Sequence, residues 1–235
     1  MTTLANSVSD WVNQHPQTAR VFETLQIDYC CGGKLPLEEA CAQRGLDATQ
    51  VVDKLQEAIE QEPEGSEDWL TAPLTALCDH VEQTHHARLK QELPRMSQIV
   101  AKVVSVHGEA HPELPEIAET FQGIRSELES HMFKEEKMLF PSIRKLDQAS
   151  GPVEFPFGSI ANPIQAMEAE HDLAGDGLER IRSLTQDFTV PFGACNTYRA
   201  MLHGLHEFEL DMHQHVHKEN NILFPRAIEM EQSRG

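Results

Sequence analysis

The chain has 235 residues, 40% of them hydrophobic, which suffices for one large domain or for a medium domain beside a small one. Its 19 basic and 38 acidic residues give a net charge of −19, a field that repels nucleic acid and anionic lipid. No basic-then-apolar leader opens the chain, and no apolar run approaches the roughly 18 residues of a membrane span. We therefore expect a soluble, cytoplasmic protein that binds neither nucleic acid nor membrane.

The chain has five cysteines and 13 histidines, which indicate its redox compartment and the ligands it offers to metals. The odd number of cysteines, without a scaffold-like spacing, suits a reducing compartment better than a disulfide framework. Many of the histidines stand among acidic residues in the last two-thirds of the chain, a composition typical of transition-metal ligands.

The first part of the chain predicts a small helical domain over residues 1–62. An amphipathic segment around Trp11–Leu25 is followed by the turn DYCCGGK, after which Pro36 opens a further helix. Another helix is predicted near Val51–Ile59. The acidic stretch EQEPEGSED at 60–68 contains both proline and glycine, which indicates a linker.

A second domain, at 69–232, is predicted to contain four long helices. Pro73 suits a first helical turn, and Asn162 followed by Pro163 predicts an N-cap with proline at the first helical position. The run IVAKVVSV at 99–106 is rich in β-branched residues, but its surroundings are helical and we interpret it as helix.

Two segments share the pattern His-x-x-x-Glu-x-x-x-Leu-Phe-Pro, namely HMFKEEKMLFP at 131–141 and HVHKENNILFP at 215–225. Residues four apart share one face of a helix, so each His–Glu pair can present two ligands to one centre. The prolines, Pro141 and Pro225, are predicted to kink or end their helices just past those ligands.

Both pairs fall on apolar stripes that step by three and four residues, as does a histidine of the third long helix. The stripes are Phe121, Ile124, Leu128, His131, Glu135 and Met138 in helix two, Ile164, Met167, His171, Ala174, Leu178 and Ile181 in helix three, and Met201, Leu205, Phe208, Met212, His215, Glu219 and Ile222 in helix four.

Carboxylates on buried stripes require a compensating charge. Desolvation of an ionised carboxylate costs several kcal/mol, and Glu135 and Glu219 would share one core, whereas the total stability of a domain is only about 5–15 kcal/mol. We therefore predict multivalent cations among neutral imidazoles. If both glutamates bridge two ions, each ion receives two histidine nitrogens and two carboxylate oxygens, and an oxo or hydroxo bridge leaves one octahedral position open. Such mixed ligands favour iron or manganese over zinc.

The ligand from the first long helix is ambiguous. The stretch CDHVEQTHHARL offers His80, His85 and His86. Helical periodicity continued through Val81 brings His85 nearer to the apolar stripe, but spacing alone does not decide between the candidates.

Together these residues resemble a hemerythrin-like four-helix bundle, and more closely the repair-of-iron-centres (RIC) family of di-iron proteins. The resemblance covers nearly the whole chain and implies an all-α fold in which a small helical N-terminal domain precedes the bundle. It is carried by DYCCGGK at 28–34, DH at 79–80 with HH at 85–86, SHMFKEEKMLFP at 130–141, MEAEHD at 167–172 and HKENNILFP at 217–225.

The resemblance implies a ligand set for two iron ions. It selects His86 over His85, because the family's ligand stands six residues after the histidine of the Asp-His pair, here His80. Oxygen-carrying hemerythrins use five histidines, so a pattern with four weakens any expectation of reversible oxygen carriage. The implied ligands are His86, His131, His171 and His215, with Glu135 and Glu219 as bridges.

The resemblance also implies a function in the stress response. The family is associated with restoring iron–sulfur clusters damaged by nitric oxide or peroxide, either by supplying iron or by handling nitric oxide at the di-iron site. The expected partners are damaged iron–sulfur proteins in transient contact and nitric oxide or oxygen as small ligands, with a homodimer as one open arrangement. The alternatives are a nitric oxide reductase at the same centre, or a non-catalytic gas sensor or iron store.

The adjacent Cys30 and Cys31 have two interpretations. As exposed thiols near the start of the next helix, where the helix dipole lowers a thiol pKa, they could relay iron or a nitrosyl group. The alternative is a tight turn with incidental small residues. Cys41, Cys78 and Cys195 are predicted to be buried small hydrophobes. The remaining histidines of helix four, His203, His206, His213 and His217, lie off the stripe and are either solvated or hydrogen-bonded to ligands.

Overall fold

A computed structural model describes residues 3–61 and 68–234, and within those ranges it contains helices and turns but no β-strand. The predicted all-α fold is confirmed. Most of the predicted linker, residues 62–67, lies outside the described residues. None of the helices in the described ranges has the length and apolarity that crossing a membrane requires.

Four short helices form the N-terminal module around an apolar core of its own, which includes Trp11, Phe22 and Leu55. The predicted amphipathic segment is two helices, because Pro16 begins a separate 3-10 turn between them. Pro36 stands directly before the third helix, as predicted. The helices are α1 (Val8–Gln14), α2 (Ala19–Leu25), α3 (Leu37–Gln43) and α4 (Ala48–Gln61).

The rest of the described chain is a bundle of four long rods, three of which are each interrupted by one π-helical turn. The first rod contains α5 (Leu74–His80), the turn Val81–His86 and α6 (Ala87–His107). The second contains α7 (Leu114–Lys134), the turn Glu135–Leu139 and α8 (Phe140–Gln148). The third is α9 (Ala161–Leu184), and the fourth contains α10 (Asn196–Lys218), the turn Glu219–Leu223 and α11 (Phe224–Arg234).

The π turns change which side chains face the core. In each turn a backbone amide donates to a carbonyl five residues back, as from Phe140 to Glu135, so the side chains that follow are rotated relative to an ideal α-helix. Leu139 is therefore fully buried, whereas Met138 is 37% exposed. The prediction that Met138 belongs to the buried stripe is wrong, because it assumed an uninterrupted α-helical period.

The same turns let the rods continue past their prolines. Pro141 and Pro225 were predicted to kink or end their helices, and neither ends its rod, because α8 and α11 run through them. A proline inside an α-helix lacks the amide proton and its ring meets the carbonyl four residues back. Because a π turn directly precedes Phe140, Pro141 occupies the first turn of a new α-helical segment, where proline is tolerated.

The predicted helix starts are close to the observed ones. Pro73 is the residue before α5, so that helix begins directly after it. Asn162 was predicted to cap the third rod, but α9 already begins at Ala161. The side-chain amide of Asn162 instead donates a hydrogen bond to the carbonyl of Phe157 in the preceding loop, 2.9 Å away.

The apolar interior of the bundle is divided into two clusters. One lies between α6, α7, α9 and α10 and includes Phe121 and Met201. The other lies towards α5, α8 and α11 and includes Phe140 and Phe224. Both predicted histidine–glutamate pairs fall on the rods between these clusters, so the polar groups form a layer across the core.

Two glycines on facing rods provide a test of the packing. Gly123 in α7 has open space where a Cβ would stand, so we expect Gly123→Ala to raise the free energy of unfolding by about 0.5–1 kcal/mol. A Cβ on Gly177 in α9 would lie 2.8 Å from two side-chain carbons of Ile124. Overpacking of this kind costs about 1–3 kcal/mol, so Gly177→Ala should be the less stable variant in urea denaturation. Equal stabilisation by both substitutions would contradict the close approach of α7 and α9.

Candidate metal centre

The polar layer contains all six residues that were predicted as metal ligands. Three rods contribute through their π turns or the residues just before them, and α9 contributes one histidine. None of the six side chains is more than 2% exposed. They are His86, His131, Glu135, His171, His215 and Glu219.

The four histidines form two pairs that share both glutamates. His86 and His215 form one group with the glutamates, and His131 and His171 form the other; within each group one donor atom per residue lies within 4.8 Å of the rest. His86 and His215 come from the first and fourth rods, and His131 and His171 come from the second and third.

Each glutamate faces one histidine from each pair. The Nε2 atoms of His86 and His131 lie 3.3 and 3.2 Å from Oε2 of Glu135. The Nε2 atoms of His171 and His215 lie 3.2 and 3.1 Å from the carboxylate oxygens of Glu219. This is the arrangement in which each carboxylate can bridge two cations.

Several donor atoms that face this centre make no hydrogen bond of good geometry among the described residues, although imidazole nitrogens lie 3.2–3.3 Å away. Both carboxylate oxygens of Glu135, one oxygen of Glu219 and Nε2 of His86 are buried and unpaired. Nε2 of His131 lies 3.0 Å from Nε2 of His171. Unpaired buried acceptors are rare because their desolvation is not compensated. Nitrogen and oxygen donors that converge in this way fit metal cations.

An outer ring of acceptors fixes the orientation of three imidazoles. A histidine that donates its Nδ1 proton outward keeps the Nε2 lone pair for a metal. These acceptors were not predicted from the sequence, although each is the immediate chain neighbour of a predicted ligand. The distance from histidine Nδ1 to the acceptor oxygen is 3.0 Å for His86 and Glu136, 2.8 Å for His131 and Glu170, and 2.8 Å for His171 and Asn220.

The charges within the centre stabilise one another when no cation is present. Burial disfavours ionisation of Glu219, but the charge on His215 and hydrogen bonds from His171 and His215 hold the pKa of Glu219 well below its usual range. Burial likewise disfavours a charged His131, yet the Glu135 carboxylate outweighs it and raises the pKa of His131 to about 9. Protons and metal cations therefore compete for the same imidazoles.

The π turn Val81–His86 determines which of the neighbouring residues His85 and His86 faces the centre. Because that turn rotates the side chains that follow, His86 faces Glu135, and His85 turns towards the fourth rod. There Nδ1 of His85 lies 3.2 Å from Asp211, and the ring stacks on His215. Helical periodicity, which favoured His85, was misleading because it took the helix to be regular.

The Cys-Cys-Gly-Gly turn of the N-terminal module lies against the third and fourth rods beside the centre. Asn221 donates its side-chain amide to the carbonyls of Tyr29 and Cys30, 3.3 and 2.9 Å away. Nδ1 of His217, which is buried, lies 3.1 Å from the same Tyr29 carbonyl. This docking role of His217 was not predicted from the sequence. The Cys31 sulfur lies 3.8 Å from the carbonyl oxygen of His171.

The expectation of exposed, acidic thiols in this turn is wrong for Cys30. Cys30 is 6% exposed, and its hydrogen bond to Cys31 together with burial raises its pKa well above the usual range. The physical reason is that α3 begins only at Leu37, so its N-terminus is not next to the thiols. Cys31 is half-buried.

The outcome for the other cysteines is mixed. Cys41 and Cys78 are fully buried, as predicted. Cys195 is exposed, contrary to prediction, because it is the N-cap residue of α10. Hydrogen bonds from the Tyr198 amide and from His107 lower the pKa of Cys195 to about 7.

Comparison with known proteins matches both parts of the chain. Residues 79–227 match the Hemerythrin HHE cation binding domain, and residues 4–59 match a family described as Domain of Unknown function (DUF542). The Iron-sulfur cluster repair protein YtfE of Yersinia pseudotuberculosis serotype IB (strain PB1/+) is 43% identical over 216 residues, 91% of this chain and 92% of the relative. The protein of the same name from Yersinia pestis (strain Pestoides F) is 42% identical over the same shares. The chain belongs to the YtfE family. The resemblance predicted from the motifs is confirmed, and the cation-binding domain of the family coincides with the rods that carry the six clustered donors.

Variants of the adjacent residues His85 and His86 in the first rod provide a matched pair that tests the metal centre. We expect His86→Ala to lower the metal content of the iron-loaded protein at least to about half, because one donor is removed from one histidine pair. His85→Ala should leave the metal content unchanged, since the His85 ring faces Asp211. Elemental analysis of both variants checks this, and a larger loss in His85→Ala would refute the assigned orientation.

Metal affinity should increase with pH up to about 9. In the metal-free centre the His131 ring keeps its proton until about pH 9, and a cation must displace that proton. Below this pKa, each displaced proton lowers the affinity by about tenfold per pH unit. Competition with a chelator at several pH values measures the slope. A flat affinity between about pH 7 and about pH 9 would show that no ring proton is displaced.

Proposed function

We propose that this protein holds two iron ions between its four rods and uses them to repair iron–sulfur clusters damaged by nitrosative or oxidative stress. The observation that carries the proposal is the sharing of Glu135 and Glu219 by two histidine pairs. Relatives at 43% and 42% identity are named iron–sulfur cluster repair proteins, which supports the same function here.

Two ions account for the donor set better than one. Each histidine pair supplies two nitrogens, and the two shared glutamates offer four oxygens in all. Mixed nitrogen and oxygen donors with further coordination positions favour iron over zinc, which commonly settles at four ligands. Iron bound in this way would supply redox chemistry and an open position for a diatomic molecule such as nitric oxide.

The residues around the centre control orientation and access. Glu136, Glu170 and Asn220 keep three imidazoles turned with Nε2 inward. Lys90 and Lys134 pair with the two outer carboxylates, so these acceptors stay charged. The apolar clusters on both sides exclude water from the glutamates.

We infer that the clients are damaged iron–sulfur proteins that bind transiently, and that repair takes place in the cytoplasm. The five cysteines are free, which supports a reducing compartment. Nitric oxide and oxygen are the small ligands that an open iron position would bind.

The proposal is tested with a purified iron–sulfur hydratase whose cluster has been damaged by nitric oxide. We expect two irons per chain in the loaded protein and recovery of hydratase activity on its addition. The double variant His86→Ala/His131→Ala should lose the iron and slow recovery at least about tenfold, because one nitrogen is removed from each pair. His85→Ala serves as the matched control and should repair normally.

Equal repair by the iron-free double variant would contradict the proposal, as would zinc as the sole bound metal. Nitrous oxide production and nitric oxide binding are measured in the same samples without a client. Catalytic nitrous oxide production without cluster repair would favour a nitric oxide reductase. Stoichiometric binding without either activity would favour a gas sensor or an iron store.

A further inference from the structure

The turn that follows α2 brings three potential metal donors together outside the bundle centre. Asp28, Cys30 and Cys31 each offer one ligand atom, and these atoms lie within 4.8 Å of one another. The Asp28 carboxylate accepts hydrogen bonds from the backbone amides of Cys30, Cys31 and Gly32, at distances of 2.8, 3.0 and 2.7 Å. These hydrogen bonds hold the turn in place, so the donors are already ordered.

The two sulfur atoms have the separation that a single ion requires. They lie 3.8 Å apart. Two sulfurs bound to one tetrahedral ion by bonds of about 2.3 Å are about 3.8 Å apart. A disulfide would instead require about 2.05 Å, and both cysteines are free. Chelation therefore needs little movement of either side chain.

A cleft of about 430 Å³ leads from solvent to these donors between the N-terminal module and the third and fourth rods. Both cysteines line it. It is lined by six acidic residues and by two arginines, Arg44 and Arg182, so its net charge is negative and attracts cations. The acidic residues are Glu23, Asp28, Asp172, Asp176, Glu179 and Glu209.

We propose that Asp28, Cys30 and Cys31 form a second metal site, which takes one thiophilic divalent cation, such as Zn²⁺ or Fe²⁺, from the cleft. Thiolate donors select such ions, whereas the bundle centre has only nitrogen and oxygen donors. As each metal–sulfur bond forms, the thiol proton passes to solvent, and no electron is transferred. The site depends on the geometry of the turn and not on the repair function.

The site is separate from the bundle centre but adjacent to it. The Cys31 sulfur lies 3.8 Å from the backbone carbonyl oxygen of His171, and the imidazole of His171 faces Glu219. An ion at the thiols would therefore be held on the outer side of a bundle ligand.

The experiment uses the full chain loaded with iron, in a Cys195→Ser background that removes the exposed thiol. Cd²⁺ is the probe, because cadmium–thiolate bonds absorb in the ultraviolet. We expect one cadmium per chain with a thiolate absorption band, while the iron content stays unchanged. Cys30→Ser/Cys31→Ser should abolish the band and weaken cadmium binding at least about 100-fold.

Three further variants test single donors and the charge of the cleft. Cys31 is half-buried, so Cys31→Ser alone should retain helicity and iron while it removes the band. Asp28→Asn removes the charge and one of the two oxygens that hold the turn, so it should weaken cadmium binding by about 10–100-fold, whereas Asp172→Asn, also in the cleft, should not.

Retention of the band by Cys30→Ser/Cys31→Ser, or equal effects of Asp28→Asn and Asp172→Asn, would overturn the three-donor site. Loss of iron upon addition of cadmium to the Cys195→Ser protein, without a thiolate band, would mean that the probe enters the bundle centre instead, which also overturns it. Neither result bears on cluster repair, which is measured without cadmium.

Discussion

The polar layer of the bundle is organised around two carboxylates that are shielded from solvent, Glu135 and Glu219. Each lies fully buried between two imidazoles. Around them charge alternates outward, from the inner glutamates to histidines, then to outer carboxylates, and from these to Lys90 and Lys134. This alternation holds for His86 and His131, the histidines next to Glu135, whereas on the Glu219 side the neutral Asn220 accepts from His171. A bound cation would replace ring protons and leave the outer shells in place.

The inner part of this arrangement could be predicted from sequence because it depends on local periodicity. His131, Glu135, His215 and Glu219 recur four residues apart on apolar stripes, and burial of a carboxylate has a known energetic consequence. The exposure of Met138 could not be predicted in the same way, because a π turn depends on hydrogen bonds that no apolar pattern records. The choice of His86 over His85 required the family resemblance for the same reason.

Long-range contacts were the other part that the sequence did not reveal. His217 lies off the apolar stripe and resembles a solvated residue, yet it is buried against the carbonyl of Tyr29, 188 residues away in the chain. Cys30 likewise joins the apolar cluster of the bundle although it belongs to the N-terminal module. Such contacts depend on how the two parts dock, and hydrophobic patterning within either part contains no information about docking.

The π turn Glu219–Leu223 serves three purposes within three consecutive residues. Glu219 faces the centre, Asn220 accepts from His171, and Asn221 holds the Cys-Cys-Gly-Gly turn. Adjacent residues of one turn share a backbone, so the position of a carboxylate of the centre is coupled to the contact that docks the N-terminal module. A substitution that disturbs the docking of the module would therefore also displace this carboxylate, although none of the six clustered donors is changed.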